Sequence, residues 1–136
     1  MQASLFRKSA VLIEQNPQQG MLYEDVLSAN GFDVYVAKSA MDGLQKLKEK
    51  KQDLAIINTE IAEDSYMKKF IERVKAEQIS AEMPIVGLSI YNEECKKNIA
   101  QLLDAFLTKP ISIDKFMESI FGCIENKING CESSVN

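Results

Sequence analysis

The stretch Asp53-Leu54-Ala55-Ile56-Ile57-Asn58-Thr59-Glu60 decides the fold. Leu54 to Ile57 form an unbroken apolar run. A run of about four to eight such residues suits a strand buried on both faces, as in the middle of a parallel sheet, although four alone would also suit a buried helix. The flanks favour the strand. A lysine-rich helical segment ends just before it, and polar Asn58-Thr59-Glu60 follows it. Open α/β sheets gather ligands and chemistry beyond the carboxyl ends of their strands, and Asn58 occupies that place.

The same grammar extends in both directions. Upstream, Ala10 to Ile13 is a second apolar run, closed by Glu14-Gln15-Asn16-Pro17. Asn16 reads as a helix N-cap and Pro17 as the first helical residue. Met21, Leu22, Tyr23, Val26 and Leu27 recur at helical spacing until Asn30-Gly31 stops the helix. Phe32 to Ala37 alternates as the second strand. Ser39 followed by Asp42 resembles a capping box. Met41, Leu44 and Leu47 are expected on the buried face of the next helix, and Lys46, Lys48, Lys50 and Lys51 on a solvated one.

Downstream, Asp64 or Ser65 caps a third helix with a stripe of Met67, Phe70, Ile71 and Val74. Met83 to Ser89 reads as the fourth strand, with Pro84 at its start, where a missing N–H is tolerated. Asn92 opens a fourth helix with Cys95, Ile99 and Leu102 or Leu103 inward. Ala105 to Thr108 is the fifth strand, closed by Lys109-Pro110. Ser112 precedes the last helix, with Phe116, Met117, Ile120, Phe121 and Ile124 apolar; a polar, frayed tail is expected over 127–136. Five strands alternating with five helices predict an α/β domain: a flavodoxin-like (βα)5 fold, doubly wound, with helices on both faces of a parallel sheet. The order of the strands does not follow from this pattern.

A chain of 136 residues, 46% apolar and 26% charged, suits one globular domain. The formal net charge of −4 argues against a nucleic-acid surface. No apolar run reaches the roughly 18 residues of a membrane span, and the N-terminus does not read as a signal peptide. Cys95, Cys123 and Cys131 lack metal-ligand spacing and are read as reduced thiols of a cytoplasmic protein, with Cys95 and Cys123 as helix-face fillers. The chain has no histidine, which removes the commonest general base.

Four strand ends meet at one edge: Glu14 and Gln15, Asn58, Ser89, and Lys109 before Pro110. This combination resembles the receiver domain of bacterial response regulators, over about Ala10 to Ile124. In that family an acidic pair ends the first strand and an aspartate ends the third; together they bind Mg²⁺, and the aspartate accepts a phosphoryl group. Ser or Thr and the lysine of Lys-Pro contact the phosphoryl oxygens. Ser89 and Lys109-Pro110 match, and the resemblance implies a cis bond before Pro110. Phe106 stands at the switch aromatic and, having no hydroxyl, is expected buried.

The departures fall on the chemistry. Glu14-Gln15 replaces two acids, Asn58 replaces the phosphoacceptor, and Ile61-Ala62 replaces the usual Met-Pro. Three carboxylates have become one, a poor site for a hard cation. An amide has no anionic oxygen to attack phosphorus. Asp53 or Glu60 would have to serve instead. The resemblance therefore implies a pseudo-receiver, without catalysis, Mg²⁺ or another cofactor. Lys109 is expected to be held by Glu14 or by the side-chain oxygen of Asn58; Ser89 reads equally as a plain strand-end hydroxyl. Output would pass to a protein partner, through the face of the fourth helix, fifth strand and fifth helix, with no nucleic acid or membrane involved. Met117, on that helix, is expected in the core. The competing readings are a receiver phosphorylated at a displaced acid such as Glu60, and a flavodoxin-like small-molecule binder. No glycine-rich loop favours the second.

Overall fold

The computed structural model describes residues 7–58, 64–76, 82–90 and 102–133. Five strands run β1 (Lys8–Ile13), β2 (Phe32–Ala37), β3 (Leu54–Asn58), β4 (Ile85–Ile90) and β5 (Ala105–Lys109). The helices are α1 (Pro17–Ala29), α2 (Ala40–Glu49), α3 (Asp64–Ala76) and α4 (Ile113–Ser133). All strand pairs are parallel, in the order β2-β1-β3-β4-β5. The expected flavodoxin-like arrangement is thus the observed one. The helix expected around Asn92, Cys95 and Ile99 lies outside the described residues, as do Glu60, Ile61 and Ala62. Leu102 and Leu103, expected inward, pack against the core.

Strand alternation divides the core in two. Val11, Ile13, Ala55 and Ile57 face a layer containing Leu44, Leu47, Phe70 and Val74 of α2 and α3. Leu12, Leu54, Ile56 and Leu88 face Tyr23, Leu27, Phe116 and Ile120 of α1 and α4. β3 is buried along its whole length, which is why its sequence is a continuous run and not an alternation.

The helix starts follow their side chains. Asn16 Oδ1 accepts from the backbone N–H of Gln18 at 2.9 Å and of Gln19 at 3.1 Å, with Pro17 at the first helical position. Ser39 Oγ accepts from Asp42 N at 3.0 Å. The return bond of Asp42 goes one residue further back than in a capping box, to Lys38 N at 3.2 Å. Ser112 Oγ accepts from Lys115 N at 3.1 Å.

Met41, expected on the buried face of its helix, is outside, as are two apolar residues of α1. Met41 is 70% and Met21 64% exposed, and Leu22 is exposed beside Met21. The buried stripes run instead through Gly20, Tyr23 and Leu27 on α1, and through Ala40, Gly43, Leu44 and Leu47 on α2. A Cβ on Gly43 would stand 2.7 Å from Ile13 Cδ1 and Cγ1, and one on Gly20 would stand 3.2 Å from Val36 Cγ1. Both helices lie against the sheet at their glycines, and this rotates Met21 and Met41 off the contact. Phe121 is also exposed, its ring 6.0 Å from that of Phe32. Met117 and Cys123 are buried as expected, and burial pushes the Cys123 thiol up, with Asp104 adding to the effect.

The last helix runs past residue 127 to Ser133. Lys127 Nζ pairs with Asp104 Oδ1 at 3.3 Å, while Asp104 Oδ2 accepts from Ile85 N at 2.7 Å, so the helix is tied to the sheet and continues to Ser133.

Gly31 has φ +94° and no neighbour within 4 Å of an added Cβ. Gly31→Ala is therefore expected to destabilise the domain through backbone strain alone, by about 1–2 kcal/mol, and Gly31→Asn by less. Urea denaturation midpoints check both.

Candidate functional site

The register of the sheet builds the site. Ile13 lies opposite Ile57, and Asn58 opposite Leu88. One step beyond Ile13, Glu14 stands beside Asn58 on a neighbouring strand, with strand spacing of about 4.8 Å. Alternation puts Leu12 and Ile56 on the α1 side of the sheet, and Glu14 and Asn58 follow them there. Asn58 Nδ2 donates to Glu14 Oε1, and the backbone N–H of Asn16 donates to Glu14 Oε2 at 2.9 Å. Both carboxylate oxygens are thereby engaged. Glu14 is 3% and Asn58 9% exposed. A carboxylate only accepts, so the Asn58 amide presents its nitrogen to it. Gln15, the neutral member of the pair, is exposed.

Ser89 is buried on β4, opposite Thr108 of β5. Lys109 ends β5, two residues after Leu107, which packs on the α1–α4 side. The same alternation carries Lys109 towards α1. Its Nζ donates to Gln19 Oε1 at 3.3 Å and lies 5.7 Å from the centre of the Tyr23 ring. The sequence reading named Glu14 and Asn58 as its holders; Gln19 and Tyr23 were missed, because a mid-helix glutamine and a core tyrosine carry no distinguishing signal. The Lys109-Pro110 peptide is cis. Phe106 points to the α2–α3 side and is only partly buried, not fully as expected, because β5 is an edge strand.

Asp53 does not reach this edge. It sits at the amino end of β3, where its Oδ2 accepts from Ser9 N at 2.8 Å. Five residue steps separate it from Asn58, about 16 Å along a strand. Among the described residues no three of His, Cys, Asp or Glu converge as metal ligands, and no helix is long and apolar enough to cross a membrane.

A parallel five-stranded sheet in this order, with Ser89, Lys109 and a cis-proline at its carboxyl edge, has relatives. The family model described as the response regulator receiver domain matches residues 10–121. The chain belongs to this family, the receiver domains of two-component signalling. The polar-differentiation response regulator DivK of Brucella ovis is 24% identical over 115 residues, 83% of this chain and 93% of that protein. Among solved structures, a CheY-like receiver domain protein from Methanospirillum hungatei superposes with a TM-score of 0.78 at 19% identity, covering 91% of this chain and 98% of the other. The chemotaxis response regulator CheY4 of Vibrio cholerae gives 0.76 at 15% identity, covering 86% and 98%. At these identities the structural likeness speaks for the fold.

In this receiver edge a donor amide faces the buried carboxylate of Glu14. Asn58→Asp would set two carboxylates in contact, and one would take up a proton or repel the other. The raised pKa of that pair makes its penalty largest at high pH and relieves it as pH falls. The expected loss is about 1–3 kcal/mol at pH 7.5 without Mg²⁺, and less at pH 5. Urea denaturation at the two pH values checks the sign.

Proposed function

We propose that this receiver domain works without phosphorylation, as a non-catalytic pseudo-receiver that acts by contact with a protein partner. The observation that carries the reading is the bond from Asn58 Nδ2 to Glu14. Where receivers hold a nucleophilic aspartate, this chain holds a hydrogen-bond donor. The donor occupies the buried carboxylate that a cation would need. With Gln15 neutral and exposed, a divalent ion would rely on neutral oxygens and water. Lys109, a cation that would contact phosphoryl oxygens in a switching receiver, donates here to Gln19.

In such a domain no ligand at the edge distinguishes two conformations, so nothing there shifts their balance. Output is constant, or is set by a partner that selects a minor state. The face of β5 and α4 is the surface through which the partner is expected to dock; the expected fourth helix lies outside the described residues. On α4 it would use exposed residues such as Ile113, since Met117 is in the core.

Two measurements test the reading. Intact mass after treatment with acetyl phosphate and Mg²⁺ should show no added phosphoryl group; a stoichiometric gain, lost in mild base, would establish a displaced acceptor. Backbone NMR shifts near Glu14 and Asn58 should barely move below several millimolar Mg²⁺. Gln15→Asp with Asn58→Asp rebuilds three carboxylates and should bind Mg²⁺. A double variant that binds none would mean that these strand ends do not correspond to the family's metal site.

A further inference from the structure

Charge is segregated between the two helix layers. Over residues 40–51 and 64–76 the α2–α3 side carries eight basic residues against Asp42, Glu49, Asp64 and Glu72, a formal net of +4. Lys46, Lys48, Lys50 and Lys51 lie on or just after α2, and Lys68, Lys69, Arg73 and Lys75 on α3. On the opposite side, residues 17–29 and 113–127 carry Glu24, Asp25, Asp114, Glu118 and Glu125 against Lys115 and Lys127, a formal net of −3. Lys127 is already paired with Asp104. The chain as a whole is at −4, so the basic side is a local reversal of the molecular charge. Each layer also bears exposed apolar side chains: Met41 on α2; Met21 and Leu22 on α1; Ile113 and Phe121 on α4.

We infer that the α2–α3 layer of one chain docks on the α1–α4 layer of a second copy, face to back. The complementary acidic surface is present on the molecule itself, at the concentration of the chain. Long-range attraction between opposite layers orients the encounter, and flexible methionines adapt to the contact. Single exposed ion pairs contribute little, so the association depends on the summed field of each layer and is screened by salt. A duplex or an anionic bilayer fits less well. It would meet a chain of overall negative charge. Because different surfaces meet, the contact is heterologous and does not close at two copies. The assembly is an open chain of receiver domains.

Sedimentation equilibrium of the 136-residue chain tests this. In about 20 mM salt the weight-average mass should rise above 15.3 kDa with concentration, without a plateau at two copies, and return to one chain in about 500 mM salt. Lys68→Glu with Lys69→Glu should be monomeric alone, and so should Glu118→Lys with Glu125→Lys. Mixed, the two variants should associate again, since each restores the complement that the other lost. Circular dichroism melts confirm that the variants fold, and the milder Lys68→Gln with Lys69→Gln should weaken association at least threefold. A wild-type chain that stays monomeric up to about 1 mM overturns the proposal, as does association indifferent to salt, or charge variants that associate alone or fail to pair. Binding of duplex DNA or anionic vesicles through Lys68 and Lys69 by a monomeric chain would assign the face to a phosphate-rich partner instead.

Discussion

Parallel pairing of β1 with β3, with Ile13 opposite Ile57, is the constraint on which the functional edge depends. It brings Glu14 and Asn58 side by side on the α1 face, at the depth where water is excluded. A carboxylate buried there must be answered, because an ion without partners in a poorly polarisable interior is costly. Two donors answer it: the Asn58 amide and the backbone N–H of Asn16. The second comes from the start of α1, so the strand end, the helix cap and the site are one hydrogen-bonded unit. Asn16 caps α1 with its side chain while its own N–H serves Glu14. The edge is thereby satisfied from within the chain.

The sheet was legible in the sequence because buried parallel strands leave continuous apolar runs and β2, at an edge, leaves an alternation; all five strands appear within two residues of the segments so read. Strand order was not legible. The β1–β3 and β3–β4 neighbours are chosen by crossovers whose direction leaves no trace in periodicity. The helix faces were misread for a different reason. A hydrophobic stripe is sought among large residues, yet α1 and α2 approach the sheet through Gly20 and Gly43, which have no side chain to count. Once the glycines are given their place, Leu27 and Leu47 fall on the buried stripes and Met21 and Met41 fall off them. Closest approach, not hydrophobic content, sets the rotation of these helices.

At the site the positions were legible and the partners were not. Glu14, Asn58, Ser89 and Lys109 sit at strand ends because an apolar run ends in the first polar residue, and that is visible in one dimension. Which groups meet depends on the alternation of β5 and on the helix above it. Lys109 follows Leu107 onto the α1 side, where Gln19 presents an oxygen and Tyr23 a ring. Nothing in Pro17-Gln18-Gln19-Gly20 marks Gln19 for that purpose. Asp53 shows the converse. It is acidic and close to Asn58 in sequence, but the strand between them runs at over 3 Å per residue and puts it at the wrong end of the sheet.

The Asn58 amide also differs from a cation in kind. A metal ion or a phosphoryl group has a concentration, and a domain that needs one reports that concentration through its populations. An amide joined to β3 has no such variable. Both partners of its bond to Glu14 are carried by neighbouring strands, so the bond forms as the sheet forms. On the phosphorylation-independent reading, a group of the chain itself stands in for an external ligand, and a binding equilibrium becomes part of the folding equilibrium. The same contact then stabilises one arrangement of the edge at every ligand level. What remains free to vary is what meets the outside of the helices, where the charges and exposed methionines lie. On the phosphorylation-independent reading, information enters this domain at its surfaces, because the interior edge has no ligand left to exchange.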